Sequence, residues 1–177
     1  MIQLRPLRWP DDRESLRTLD VSFTTQRIYH IRVTERSFAL EDTALPSAIH
    51  KAYDLDAELD RFPTYTYVVI AEVDAVLVGV ATLAFESWNH RAILWHLLVD
   101  AGYRGCGVGR TLMDDIVRAA QAYHARCLWL ETQNINYGAI QFYRRVGFQW
   151  CGLDQSLYDP DGLLEGETAL FFVRQLP

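Results

Sequence analysis

Residues 91–123 read RAILWHLLVDAGYRGCGVGRTLMDDIVRAAQAY, and this stretch decides the fold. Arg91 to Val99 is an apolar run of strand length and reads as a buried strand. Val108, Leu112, Ile116, Ala119 and Tyr123 recur at spacings of three and four, which predicts a helix over Val108 to Tyr123. Between the two lies Arg104-Gly105-Cys106-Gly107-Val108-Gly109-Arg110. Its three glycines let the backbone turn tightly and come close to a ligand. The following helix aims its free N–H groups and positive end at that turn, which is the make-up of a phosphate cradle. It is not a Walker loop, since no Gly-Lys-Ser/Thr follows. Nor is it a dinucleotide fingerprint, since the G-x-G-x-x-G spacing is not met. A turn serving only geometry is the other reading of these glycines.

Upstream, Tyr65 to Ala71 and Ala75 to Phe85 are β-rich runs broken by Glu72-Val73-Asp74, which predicts an antiparallel hairpin. The acids at 72 and 74 make two strands a better reading of Val68 to Phe85 than a membrane span. Ile2 to Leu7 alternates and reads as a first strand. Pro10-Asp11-Asp12 suits the opening of a helix carrying Leu16, Leu19 and Phe23 on one face. Tyr29 to Val33 and Ser37 to Glu41 pair as a hairpin. Asp42 to Pro63, with two prolines, reads as loop with one helical turn. Downstream come a strand over Cys127 to Thr132 and a short helix over Asn136 to Val146, stopped by Gly147. Strands over Phe148 to Leu153 and Thr168 to Val173 follow. Hairpins followed by strand–helix–strand–helix–strand predict an α/β protein with a mixed sheet flanked by helices, not a doubly wound one. The 177 residues suffice for a single domain over 1–177.

The formal net charge of −6, with no basic run longer than two residues, argues against a nucleic-acid partner and mildly favours a cationic one. Cys106, Cys127 and Cys151 are odd in number and lack metal or redox spacing, so free thiols in a reducing cytoplasm are expected. The N-terminus shows no signal peptide. His30, His50, His90, His96 and His124 show no metal-ligand spacing, so no metal is expected. Cys106 as a nucleophile finds no histidine near it in sequence and reads as filler.

A second motif lies downstream of the glycine turn: Asn136-Tyr137-Gly138-Ala139-Ile140-Gln141-Phe142-Tyr143, then Arg144-Arg145-Val146-Gly147-Phe148. Periodicity alone shows only that Ala139, Phe142, Tyr143 and Val146 can share a helix face. Taken with Arg104-x-x-Gly107-x-Gly109, in this order and spacing, the pattern resembles the GNAT superfamily of N-acetyltransferases. The resemblance covers about residues 75–153. It implies a sheet splayed between two parallel strands, Arg91–Val99 and Cys127–Thr132, with acetyl-CoA in the splay. The amides of Arg104, Gly105, Cys106, Gly107, Val108, Gly109 and Arg110 would carry its pyrophosphate. Leu97, Leu98 and Val99 would pair with its pantetheine arm through backbone atoms, with Asn136 and Ala139 also at the cofactor. Tyr143 would protonate the leaving thiolate. Many relatives dimerise through the C-terminal strands, so a homodimer is expected by analogy.

Leu130-Glu131-Thr132-Gln133-Asn134-Ile135-Asn136 and the tail Gly152-Leu153-Asp154, Leu157-Tyr158 and Glu167-Thr168-Ala169-Leu170-Phe171-Phe172 resemble streptothricin acetyltransferases. There the acceptor is an amine on the β-lysine arm of an antibiotic. Those relatives usually carry acids where this chain has Trp95 and His96, so the substrate carries over less directly than the cofactor.

The chemistry needs a base. An alkyl amine, with a pKa of about 10.4, is protonated at neutral pH and must lose a proton before attacking a thioester. His96, with an ordinary pKa of about 6.5, and Glu131, as base or as anchor for a cationic acceptor, are the two candidates. A structural role remains open for each. The sequence therefore favours an N-acetyltransferase acting on a small-molecule amine. A protein or peptide N-acetyltransferase and a non-catalytic acyl-CoA-binding module are the alternatives.

Overall fold

Apolar runs that alternate, or stay buried on both faces, fold here as the ladders their spacing predicts. The computed structural model describes residues 1–159, 161 and 166–177. Two compact units are built from interleaved segments. Met1–Ser22, Ala52–Trp129 and Gln175–Pro177 form the first, and Phe23–Lys51 and Leu130–Arg174 the second.

In the first unit, β1 (Ile2–Pro6), β4 (Tyr67–Val73), β5 (Val76–Glu86) and β6 (Arg91–Val99) lie in the order β1-β4-β5-β6, each antiparallel to its neighbour. β5 is buried without a break from Leu77 to Leu83, as a central strand covered on both faces is. The β4–β5 turn is Asp74-Ala75, both with positive φ (50° and 62°), so the strands run further into the expected break than Glu72-Val73-Asp74 implied. β7 (Cys127–Gln133) follows β6 in the sheet order. The Arg126 N–H donates to the His90 carbonyl at 2.8 Å, so both strands start from the same end and run parallel. The link between them is α3 (Val108–Ala122). Its buried residues are Val108, Leu112, Met113, Ile116 and Ala120. The buried stripe thus ends on Ala120, not Ala119, and Tyr123 is exposed, stacked on Phe85.

The N-terminal helix is short. α1 spans only Arg13–Arg17, and Phe23 opens a strand. Leu16 and Leu19 nevertheless reach a core with Val21, Leu55, Leu59, Phe62, Ile70, Leu77 and Val80, against which Leu98 packs. The expected helical turn before Pro63 is α2 (Asp56–Leu59), followed by a 3-10 turn at Phe62–Thr64. Arg5 bridges Asp12 and Glu72, with each carboxylate at 2.7 Å.

In the second unit, β2 (Phe23–Val33) and β3 (Phe38–Lys51) form a long antiparallel hairpin. The expected hairpin is the tip of this one, and the stretch read as loop after Asp42 is strand as far as Lys51. Pro46, which argued for loop, falls in the irregularity between the pairs Thr25↔Ile49 and Arg27↔Ala44, where no ladder donor is needed. α4 (Tyr137–Arg145) follows β7, and the turn after it places Gly147 at φ +92°. β8 (Gln149–Asp154) pairs antiparallel with β9 (Ala169–Gln175), in the order β7-β9-β8. Buried Asn134 ties this unit together. Its Nδ2 donates to the Tyr29 and Gly166 carbonyls, and its Oδ1 accepts from Thr168 N–H at 2.8 Å.

Candidate active site

In the first unit the candidate residues converge at the end of β6. Leu97, Leu98 and Val99 pair with Ala81, Val80 and Gly79 of β5. Gly79 is required by close approach: a Cβ there would lie 2.8 Å from the Leu98 carbonyl and 3.2–3.3 Å from Leu112 and Val108. That gap lets the first turns of α3 sit against β5 and fixes the glycine turn relative to the strand end. Arg104 holds the turn from the other side. Its guanidinium donates to the carbonyls of Val99 (3.0 Å), Ser22 and Asp20 (3.4 Å), so its side chain clamps backbone. Asp100 accepts from Gly102 N–H at 2.9 Å and Asp20 N–H at 3.1 Å.

Gly105 and Gly107 both have left-handed φ (+77° and +92°), and Gly107 is the N-cap of α3. No side chain caps that helix. Gly105, Cys106 and Gly107 are exposed, while Val108 is buried and anchors the first turn. Free N–H groups at the positive end of a 15-residue helix, beside an exposed glycine turn, suit an anion.

A β-bulge interrupts β6. Thr82 pairs with His96 and Leu83 with Leu94, so Trp95 is the extra residue. Trp95 is exposed, with Arg61 over its ring at 5.5 Å. His96 turns into an aromatic nest. It stacks on Phe62 at 4.9 Å, meets Tyr65 edge-on at 5.5 Å, and its Nδ1 shares a hydrogen with Thr82 Oγ1 at 2.9 Å. Burial, with a smaller contribution from Arg61, lowers its pKa from 6.5 to about 4 against the pull of Glu58. His96 is therefore neutral across the physiological range, and its basicity lies far below the value the sequence reading used.

The second unit holds the other candidates. Asn136 is the N-cap of α4, its Oδ1 accepting from Ala139 N–H at 3.3 Å, so both residues serve the helix start. The Tyr143 ring is buried against Phe142, Phe148 and Phe172. Burial, then the charge of Glu131, push its pKa well above the usual phenol. Glu131 on β7 accepts a hydrogen bond from the Tyr158 hydroxyl on Oε1. Burial raises the Glu131 pKa, the Glu167 charge adds to this, and Tyr158 and Lys51 oppose it. Glu167, with 1% of its side chain exposed, is ion-paired to Lys51.

Tyr158, Glu167, Lys51 and Thr82 escaped the sequence reading as site residues. Tyr158 and Glu167 stand in the tail already quoted, but nothing in their spacing ties them to Glu131. A glutamate directly before the apolar run Thr168–Phe172 is the one signal that could have marked a buried charge. Among the described residues no group of three or more His, Cys, Asp or Glu could hold a metal ion. No helix among them is long and apolar enough to cross a membrane.

The class that the strand end, glycine turn and helix define is that of an acetyltransferase, and a family model described as acetyltransferase (GNAT) matches residues 25–148. The chain belongs to the GNAT family. It is 36% identical over 176 residues to the streptothricin acetyltransferase of Streptomyces lavendulae, covering 95% of this chain and 92% of that one. The crystal structure of nourseothricin acetyltransferase superposes with a TM-score of 0.87 at 34% identity, over 99% of each chain. A Bacillus anthracis protein described as a streptothricin acetyltransferase, solved in complex with acetyl coenzyme A, shares the fold. Its TM-score is 0.83 at 24% identity, over 99% of this chain and 100% of that one. The mixed sheet and the resemblance read from the two motifs are therefore those of this family.

Proposed function

We propose that the protein transfers the acetyl group of acetyl-CoA to a primary amine of a streptothricin-class antibiotic, acting in the cytoplasm. The observation that carries this reading is the 36% identity over nearly the whole length of a streptothricin acetyltransferase. The residues present suit the co-substrate. The exposed glycine turn has two left-handed positions, and α3 presents uncapped N–H groups to its pyrophosphate. The backbone of Leu97, Leu98 and Val99 would take the pantetheine arm, and Arg104 keeps the turn in register with that strand end. When bound, acetyl-CoA supplies an activated acyl thioester whose sulfur leaves as a thiolate.

The chain's own work is proton transfer and orientation. A base is best with a pKa near the working pH. Burial moves Glu131 up toward that range and moves His96 down away from it, so Glu131 is the better base. A Glu131 carboxylate oxygen takes the ammonium proton, freeing the nitrogen lone pair to form the N–C bond. The Tyr143 hydroxyl gives its proton to the sulfur as the C–S bond breaks, and the second proton of the former ammonium, lost from the acylated nitrogen, restores the hydroxyl. The two steps are coupled in sign. While Glu131 is charged it holds the proton on Tyr143, and once Glu131 is protonated that hold relaxes. Where streptothricin acetyltransferases usually carry acids on the strand before the glycine turn, this chain has Trp95 and His96.

Free-thiol release with acetyl-CoA and a panel of streptothricin, polyamines, aminoglycosides and short peptides tests this. Turnover confined to streptothricin supports the proposal. Turnover only on other amines discards the antibiotic, and CoA binding without turnover discards the enzyme.

A further inference from the structure

The Glu131 carboxylate lies among several other ionisable groups. Its Oε1 accepts from the Tyr158 hydroxyl, while Oε2 receives no hydrogen bond from any described residue. Gln133 lies two residues on, on the same side of β7, and also hydrogen-bonds the Tyr158 hydroxyl. Tyr158 is thus held between two side chains of one strand face. The nearly inaccessible Glu167 is ion-paired to Lys51, and the charges of both reach Glu131. Tyr143 on α4 also feels the Glu131 charge. Among the described residues, the ionisable groups bearing on Glu131 are therefore Tyr158, Glu167, Lys51 and Tyr143.

Glu131 and Glu167 bring two carboxylates, which raise one another's cost when both are ionised, near the ammonium of Lys51. A buried carboxylate in that state is costly unless a cation joins it. Resting on the reading of Glu131 as the base, we infer that Tyr158 is its positioning residue and that the Lys51–Glu167 pair is its charge regulator. The hydroxyl fixes one carboxylate oxygen and leaves the other for the acceptor's ammonium. Lys51 offsets the charge of Glu167, so that the Glu131 carboxylate keeps its affinity for a cation. Removing the hydroxyl takes away a donor that favours the carboxylate. Removing the Glu167 charge takes away a like charge that disfavours it. Removing Lys51 does the reverse.

The test is a carbon-13 NMR titration of the Glu131 carboxyl in the full chain, run beside the pH profile of kcat/KM. Tyr158→Phe and Lys51→Met should move the midpoint up by about one pH unit, and Glu167→Gln should move it down by about as much. The acid limb of kcat/KM should follow in the same order. Tyr158→Phe should also lower kcat with little change in the KM for acetyl-CoA. Tyr158→Phe keeps the ring, so its fold is the safest of the three to compare. A midpoint unmoved in Tyr158→Phe and in Glu167→Gln overturns the inference, because a purely structural role would leave the titration alone. A wild-type protein without turnover on any amine sinks the catalytic reading instead, and the NMR titration keeps the two failures distinct.

Discussion

Glu131 carries opposing demands at the scale of a single side chain. Its pKa is raised in the folded state, so at neutral pH its ionised form weakens the fold, and that cost grows as pH climbs through the folded value. Glu131→Gln is therefore expected to raise the melting temperature at pH 7 while lowering kcat at least tenfold. A variant that melts lower and keeps its activity would remove Glu131 from the site. Tyr143→Phe should cut kcat by about 100-fold, the usual scale of lost general acid catalysis, with CoA affinity within a factor of two of wild type. Isothermal titration beside turnover separates the two. In the sequence, Tyr143 is marked as a candidate by the motif that carries it. Glu131 was legible only as a candidate, since what tunes it comes from residues 51, 158 and 167. The weakness of His96 as a base is not legible in the sequence, because strand periodicity says nothing of a bulge at Trp95 or of a ring stacked on Phe62.

Among the elements, the glycine turn and α3 were the most legible, because the turn's glycines sit where φ is positive and the helix's apolar spacing is regular. Gly107→Trp should abolish measurable CoA binding, at some cost in stability because a φ of +92° strains any residue but glycine. Gly107 is exposed with only Ile2 within 4 Å of a Cβ, so the bulk would lie over the turn and not in the core. Fluorescence or calorimetric CoA affinity equal to wild type would detach the turn from the co-substrate. The β2–β3 hairpin was the least legible element. Its prolonged strand carries Pro46 and many polar residues, and both features read as loop until the bulge that accommodates them is seen. The short α1 was overextended for a related reason: Leu16 and Leu19 do reach one core, but Leu19 gets there after the helix has ended.

For the molecule as a whole, acid stability follows from two groups of opposite kind. His96 is neutral when folded, with a pKa of about 4, and protonates near 6.5 when unfolded. Its contribution is fully present above pH 6.5 and is lost as pH falls toward 4, amounting to about 3 kcal/mol by linkage. Asp12 resists protonation. Although burial pushes its pKa up, hydrogen bonds from Arg5 and the Arg8 N–H and the charges of both outweigh it, so its contribution fails only in more acidic solution. Urea unfolding from pH 4 to 7 should show stability rising with pH. His96→Asn should flatten that rise between 4 and 6.5, and an undiminished slope would assign it elsewhere. Sequence periodicity names the strands but not their distant partners. Asn134 meets Tyr29 across 105 residues of chain, and Lys51 meets Glu167 across 116. That interleaving has a consequence at the ribosome. The hairpin Phe23–Lys51 is translated long before Leu130–Arg174 emerges to receive it. At roughly 5–20 residues per second the wait is on the order of ten seconds, and an isolated two-stranded ribbon is marginal in water. During that interval its unpaired edges are open to pairing with other chains.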